Sequence, residues 1–92
     1  MADVELRAPD GRTVILTAER WRHIVGGHPE LAIHRDAVLA AVTAPARHLP
    51  GRRQHETWSY GPGGPSRFIK DVVHWTGDRG TIVTAFARRR FP

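Results

Sequence analysis

Cysteine is absent from this sequence of 92 residues, and lysine, methionine and tyrosine each occur only once. Without cysteine the chain has no disulfide bridge and no metal centre that needs thiolate ligands. Long apolar runs are also absent, because the longest apolar stretch covers only residues 37–42, whereas a membrane-spanning helix needs about 20 residues. The first residues lack the basic and apolar segments of a signal peptide, so we expect a cytoplasmic protein with no membrane partner.

Arginine, in contrast, is abundant. It supplies 13 of the 14 Lys and Arg residues, Lys70 being the other, and the formal net charge is +5. Guanidinium groups bind phosphate through two parallel hydrogen bonds, so one interpretation is a small basic domain with a phosphate-bearing partner. The other interpretation is the arginine bias of a GC-rich genome. The length and an apolar fraction of 40% fit one globular domain over residues 1–92.

Two helices are predicted in close succession. Thr17 is expected to cap the first helix, and Gly26-Gly27 to end it in a left-handed conformation. Pro29 suits the first turn of the second helix, which Pro45 ends. The apolar positions of this second helix form two stripes, which predict the main core helix. The stripes are Leu31, Val38 and Val42, and Ile33, Ala37 and Ala41.

The remaining segments predict β-structure. The expected strands cover residues 4–7, 13–16, 54–60, 67–75 and 81–88. Pro9-Asp10-Gly11 predicts a turn with a left-handed glycine, and loops are expected at 44–53 and 61–65. The order is an N-terminal β-hairpin, two helices, then an antiparallel meander. It predicts an α+β fold with the helices packed on one face of a roughly four-stranded antiparallel sheet, and the other face is then available to a ligand.

Six histidines raise the question of a metal site. His23 and His28 are five residues apart, which is not the i, i+4 spacing of a helical zinc pair, so no metal and no cofactor is predicted. His23 is expected to point outward or toward the edge of a cleft, opposite the apolar face of the first helix. For His28, at the junction of the helices, two roles stay open. It either caps the second helix or lies where a phosphate docks at that helix N-terminus.

A histidine, a cation and a hydroxyl around one phosphate suffice to cleave RNA. The 2′-hydroxyl attacks the adjacent phosphorus, a base removes its proton, an acid protonates the leaving oxygen, and cations stabilise the developing charge. Histidine suits both proton transfers near neutral pH, and RNA supplies the nucleophile, so neither a metal nor a covalent protein intermediate is required. Neighbouring antiparallel strands are expected to bring Arg67, Lys70 and Thr84 within side-chain reach.

Four motifs stand out in the sequence: Trp21-Arg22-His23-Ile24, His28-Pro29-Glu30-Leu31, Ile69-Lys70-Asp71-Val72-Val73 and Ile82-Val83-Thr84-Ala85-Phe86. Together they resemble a known family, the phage-type nuclease-like domains grouped with barnase, EndoU, colicin-type and RelE-type ribonucleases (the BECR fold). The resemblance covers about residues 16–88 and implies helices followed by a four-stranded antiparallel sheet. It favours His23, His28 and Thr84 as functional residues, with Arg67 and Lys70 as looser matches. One departure is Phe86, which stands where the family has a tyrosine.

The hypothesis that follows is a metal-independent, toxin-like endoribonuclease. His23 would act as general base or acid, and His28 as second proton donor or phosphate ligand. Arg67 and Lys70 would stabilise charge, and Thr84 would hydrogen-bond the phosphate. Further RNA contacts are predicted at Arg47, Arg52, Arg53, Arg88, Arg89 and Arg90.

A toxin implies a neutralising partner, an acidic antitoxin or immunity protein. The alternative is a non-catalytic basic module that binds RNA or an acidic protein, which Phe86 in place of tyrosine favours. A structural accessory domain is a third interpretation. Trp58, Tyr60 and Trp75 are expected in the core or on a sheet face rather than as base-stacking platforms.

Overall fold

One sheet of six strands organises the protein, whose computed structural model describes residues 2–92. The strands are β1 (Val4–Arg7), β2 (Thr13–Leu16), β3 (Arg47–Pro50), β4 (Glu56–Pro62), β5 (Phe68–Thr76) and β6 (Arg79–Arg88). The helices are α1 (Ala18–Gly27) and α2 (Arg35–Thr43), with a 3-10 turn at Pro29–Leu31 between them. In the described chain neither helix has the length and apolar character needed to cross a membrane.

The α+β order of hairpin, helices and meander is confirmed, but the sheet is larger than predicted and mixed. Its strand order is β1-β2-β6-β5-β4-β3. The N-terminal hairpin joins the meander because β2 pairs in parallel with the start of β6, from Thr13 opposite Arg79 to Ile15 opposite Thr81. Every other neighbouring pair is antiparallel. This single parallel pairing lies between segments more than 60 residues apart in sequence, so no local pattern predicts it.

The prediction of a basic loop over 44–53 is wrong in its centre, because Arg47–Pro50 forms the edge strand β3 beside β4. Unlike β1 and β2, β3 contains no β-branched residue that would indicate a strand, and an edge strand tolerates a terminal proline. The β4 strand also runs past its predicted end to Pro62. A side chain at Gly61 would place Cβ 2.8 Å from the Cα of Ala41, so glycine lets β4 pass directly under α2.

The start of α1 matches its prediction and its end does not. The Thr17 hydroxyl accepts a hydrogen bond from the Arg20 amide at 3.0 Å, as an N-cap does. Gly26 and Gly27 lie within α1 and do not have positive φ, so the predicted left-handed ending is wrong. The helix ends instead where Pro29 has no N–H with which to continue it. In the N-terminal hairpin Gly11 does have positive φ, +90°, as predicted.

The second predicted helix is broken. Pro29–Leu31 forms a 3-10 turn, and α2 begins only at Arg35. Ile33, predicted for the core, lies between the two and is 87% exposed, because the interruption restarts the helical periodicity. The other members of the stripes pack as predicted. Leu31, Val38, Ala41 and Val42 are buried, and Ala37 is partly buried against them.

The core lies between α2 and the sheet. Its sheet side comprises Val14 and Leu16 of β2, Ile69, Val73 and Trp75 of β5, and Ile82 and Ala85 of β6. Ile24 is the buried residue of α1. The acidic residue Asp71 lies in the same layer, where it has no exposed surface and neither carboxyl oxygen has a hydrogen-bond partner among the described residues. Burial therefore raises the pKa of Asp71 well above its ordinary value.

Candidate functional site on the outer face of the sheet

The two faces of the sheet are distinguished by Gly61, which lies against α2. Residues that alternate with Gly61 along β4, and their partners across β5 and β6, turn away from α2. We call this second surface the outer face. Its central members are Trp58, Tyr60, Lys70, Val72, Thr84, Phe86 and Arg88.

A β-bulge places Thr84 on the outer face. Val72 pairs with Thr84, whereas the next residue, Val73, pairs with Ile82, so Val83 is an extra residue in β6. The bulge allows Ile82 and Ala85, three residues apart, both to point into the core, where each is fully buried. Strict alternation would have turned one of them outward. The outer face therefore receives Thr84, Phe86 and Arg88 together.

One row of side chains crosses four strands of the outer face, starting at the edge strand β3. Arg47 pairs with Tyr60, Tyr60 with Lys70, and Lys70 with Phe86 on four successive strands. Beyond β6, at the end of α1, the His28 ring continues the row with its centroid 5.8 Å from that of Phe86. Cations and aromatic rings thus alternate across the sheet. This combination suits a ligand with both phosphate groups and planar rings.

Lys70 is the centre of this row. Its ammonium Nζ lies 3.5 Å from the centroid of the Trp58 ring and 5.3 Å from that of Phe86, and the residue is only 8% exposed. Burial, followed by the positive charges of Arg88 and Arg52, lowers the pKa of Lys70, while the Glu56 carboxylate acts in the opposite direction. A desolvated ammonium group held among arginines is a stronger proton donor than an ordinary lysine.

Tyr60, beside Lys70, is fully buried although it belongs to the outer face. Phe91, from the segment that follows β6, covers it with an edge-on contact at 5.4 Å between ring centroids. The Tyr60 hydroxyl has no hydrogen-bond partner among residues 2–92. Burial raises the pKa of Tyr60, against the opposing charges of Arg88 and Arg47, so the phenol is neutral and keeps its proton.

A carboxylate–imidazole pair lies on the outer face near the start of β4 and the end of β5, and it was not predicted from the sequence. Glu56 Oε1 lies 3.2 Å from His74 Nε2, and Glu56 Oε2 accepts hydrogen bonds from the Trp58 indole and the Arg52 amide. Burial alone raises the pKa of Glu56, but these hydrogen bonds outweigh it and hold the pKa below its usual value. The two residues are 18 positions apart, so only the β4–β5 register reveals the pair.

The outer face brings together some of the residues predicted from the sequence. Lys70, Thr84 and Arg88 lie on it, Arg47 begins its central row, and His28 ends that row. Thr84 is two residues from Phe86 on the same strand face, about 7 Å along β6. Arg52 follows β3, where its charge acts on Lys70, and Arg53, next to it, is exposed.

Other predicted residues lie elsewhere. His23 is exposed, as predicted, in a shallow groove that α1 forms with Glu19, Arg20 and Arg22. His23 and His28 differ by about 140° around the helix axis, so they do not share a face. A second groove, of about 420 Å³, is lined by Arg67, Arg89 and Arg90 near the end of β6.

Neither of the two roles considered for His28 at a helix N-terminus is present. Its side chain makes no capping hydrogen bond, because the segment it precedes is the short 3-10 turn Pro29–Leu31. For the same reason no α-helix N-terminus exists there to attract an anion, and α2 starts only at Arg35, seven residues after His28. Its contact with Phe86 is what connects His28 to the outer face.

The aromatic residues are divided between the two faces. Trp58 is partly exposed on the outer face, under Lys70. Trp75 lies on the α2 side, where its indole donates a hydrogen bond to Thr57 and the Arg12 guanidinium carbon lies 3.6 Å from the ring centroid. A cleft of about 430 Å³ opens beside Trp75, lined by the hairpin turn and the end of α2. The expected buried positions are confirmed for Tyr60 and Trp75, whereas Trp58 lies on a sheet face with its ring partly exposed.

Among residues 2–92, no three His, Asp or Glu side chains come close enough together to hold a metal ion. No family model, curated protein or solved structure matches this chain. The resemblance to the BECR-type ribonucleases therefore stays a prediction from motifs.

Proposed function

We propose that this protein is an endoribonuclease that binds single-stranded RNA on the outer face and cleaves it there by transesterification to the 2′-hydroxyl. The observation that carries the proposal is the row of alternating cations and rings centred on Lys70. Motif resemblance to the BECR-type ribonucleases, which includes His28, Lys70 and Phe86 of this row, supports the same conclusion.

The outer face has what an unpaired RNA strand needs. Phosphates carry a charge that Lys70, Arg88 and Arg47 complement, and the partly exposed rings of Trp58 and Phe86 offer surfaces on which bases stack. Base stacking on aromatic side chains contributes about 1–3 kcal/mol per base. Base stacking and phosphate contacts together can therefore bind unpaired RNA without a metal ion.

The chemistry follows from the residues at the end of the row nearest α1. The imidazole of His28 takes the proton of the 2′-hydroxyl as its oxygen bonds to phosphorus. Lys70 stabilises the charge on the phosphoryl oxygens and gives a proton to the 5′-oxygen as the P–O5′ bond breaks. The Thr84 hydroxyl donates a hydrogen bond to a phosphoryl oxygen. The products are a 2′,3′-cyclic phosphate and a free 5′-hydroxyl.

A toxin role and an acidic neutralising protein are part of this proposal. A partner that presents carboxylates to Lys70, Arg88 and Arg47 would cover the outer face and compete with RNA for the same cations. The excess of basic residues, +5 in 92 residues, supports such a partner.

The second candidate function is a module that binds RNA without cleaving it. Phe86, which lies next to Lys70 in the row, favours this function. Its ring can stack on a base but cannot transfer a proton. His23, the other histidine of the predicted site, lies in its own groove on α1.

Incubation of the purified protein with end-labelled RNA in the presence of a chelator separates the two candidates. The endoribonuclease predicts fragments ending in cyclic phosphate, and a loss of about a hundredfold or more in rate for His28→Ala, because general acid–base groups contribute 10²–10⁴-fold. Intact RNA with tight, salt-sensitive binding would instead establish the binding module.

His23→Ala serves as the matched control in the same assay. His23→Ala and His28→Ala each remove one imidazole; His23 lies in α1 and His28 directly follows it. Only His28 contacts the outer face. Cleavage that survives His23→Ala and not His28→Ala supports the assignment. Loss of cleavage in His23→Ala alone would move the catalytic site to the α1 groove and contradict the proposal.

A further inference from the structure

Phe91 occupies a specific position on the outer face. Its ring stacks on that of Phe68 at 4.4 Å between centroids with 30° between the planes, and it meets Tyr60 edge-on at 86°. The guanidinium carbon of Arg47 lies 5.5 Å from the centroid of the same ring. One planar ring is thus held by an aromatic stack, an aromatic edge and a cation, which are also the contacts that proteins make with unpaired bases.

The Tyr60 hydroxyl is a second feature of the place that Phe91 occupies. It is fully buried, and neither Phe91 nor any other described residue offers it a hydrogen bond. Phe91 has no polar atom on its ring, whereas every nucleobase has acceptors and donors on its edges. A buried hydroxyl without a hydrogen-bond partner destabilises the folded protein. A base in place of Phe91 would offset part of that destabilisation.

We propose that the space between Phe68, Tyr60 and Arg47 is a nucleobase subsite, and that Phe91 fills it in the free protein and leaves it when RNA binds. The inference rests on the proposed function, because it adds a second base-binding position to the RNA site. This position lies at Tyr60 on β4, which pairs with Lys70 on β5. The strand would run across the sheet along the row, with one base near Trp58 and Phe86 and the next in the Phe91 position.

Such a subsite makes Phe91 an internal competitor of RNA. The observed affinity is the intrinsic affinity multiplied by the fraction of molecules in which Phe91 is displaced. Phe91→Ala removes the competitor without changing the charge, so it should bind RNA more tightly than wild type, by about fivefold to tenfold for a displaced fraction of about 10–20% in wild type. A merely structural role for Phe91 predicts equal or weaker binding instead.

The experiment measures binding of a 2′-O-methyl oligonucleotide, which lacks the attacking hydroxyl and stays intact. Wild type, Phe91→Ala, Phe91→Leu and Tyr60→Phe are compared, with thermal melting as the check on folding. Phe91→Leu keeps an apolar cover and serves as the folded reference if Phe91→Ala is unstable. Tyr60→Phe removes the hydroxyl that a base edge would engage, and should weaken binding about threefold, the equivalent of one hydrogen bond.

The single tyrosine allows a direct readout. With 3-fluorotyrosine incorporated, the protein has one fluorine resonance, at position 60. Oligonucleotide should shift it in wild type, and in Phe91→Ala a shifted resonance should be present from the start.

Two results would overturn the inference. Unchanged or weaker affinity in Phe91→Ala, with a fluorine resonance insensitive to bound oligonucleotide in wild type and in Phe91→Leu, would refute the subsite and leave the proposed function intact. Failure of every form to bind oligonucleotide would refute the proposed function itself.

Discussion

Replacing Asp71 with asparagine should make the protein more stable at neutral pH and leave it nearly unchanged at acid pH. The carboxyl group is fully buried on β5 between Ile69 and Val73, and it has no hydrogen-bond partner among the described residues. Burial raises its pKa well above the ordinary value of 3.8. Asparagine keeps the shape and the polarity of the protonated acid but does not ionise, so the substitution isolates the titration.

The sign follows from proton binding. In the unfolded chain Asp71 ionises near its ordinary pKa, whereas the folded protein holds the proton up to the raised pKa. Between these two pH values the folded state binds more protons, so the contribution of Asp71 to stability is complete at acid pH and is lost as the pH rises. The free energy of unfolding of wild type should therefore fall, relative to Asp71→Asn, by about 1.4 kcal/mol per pH unit.

Urea unfolding of both proteins, followed by tryptophan fluorescence from pH 4 to pH 8, measures this difference directly. The difference should be near zero at pH 4, rise with that slope, and level off once the pH passes the raised pKa in the folded protein. Other titrating groups, Glu56 and the six histidines among them, cancel because both proteins contain them. A difference that does not change with pH would refute the burial of an unpaired carboxyl group at position 71.

Two further predictions concern stability and are checked by thermal melting. Thr17→Ala removes the hydroxyl that accepts from the Arg20 amide at the start of α1 and should cost about 1 kcal/mol, and an unchanged melting temperature would contradict this capping role. Gly61→Ala should cost about 1–3 kcal/mol because its Cβ would overlap Ala41 of α2, while Gly26→Ala, which meets only open space within α1, should gain about 0.5–1 kcal/mol. Equal effects of the two alanines would contradict the close packing of β4 on α2.

Local chemistry made much of the fold predictable. The Pro-Asp-Gly turn, the Thr17 cap and the buried residues Leu31, Val38 and Val42 follow from rules that act within a few residues, and the structure agrees with them. The failures have two causes. The parallel pairing of β2 with β6 joins segments more than 60 residues apart, which a periodic pattern does not reveal. The edge strand β3 pairs with the neighbouring strand β4, but its own residues show no β-pattern.

The sequence predicts some members of the candidate site but does not reveal all the residues that come together there. Lys70 and Thr84 were expected on neighbouring strands, and the register places both on one face of the sheet. Which face carries Thr84 depends on the bulge at Val83, and a one-residue shift would have reversed it. The pair of Glu56 and His74 and the cover of Phe91 over Tyr60 arise only from tertiary contacts between segments distant in sequence.

The central claim, that RNA is bound and cleaved on the outer face, is tested most directly by comparing Lys70→Gln with Arg12→Gln. Each variant removes one cation stacked on a tryptophan, Lys70 at 3.5 Å from Trp58 on the outer face and Arg12 at 3.6 Å from Trp75 on the α2 side. The measurement is the rate of metal-free RNA cleavage. We predict a loss of about a hundredfold or more for Lys70→Gln and nearly the wild-type rate for Arg12→Gln. Equal rates in the two variants, or a loss confined to Arg12→Gln, would contradict the claim.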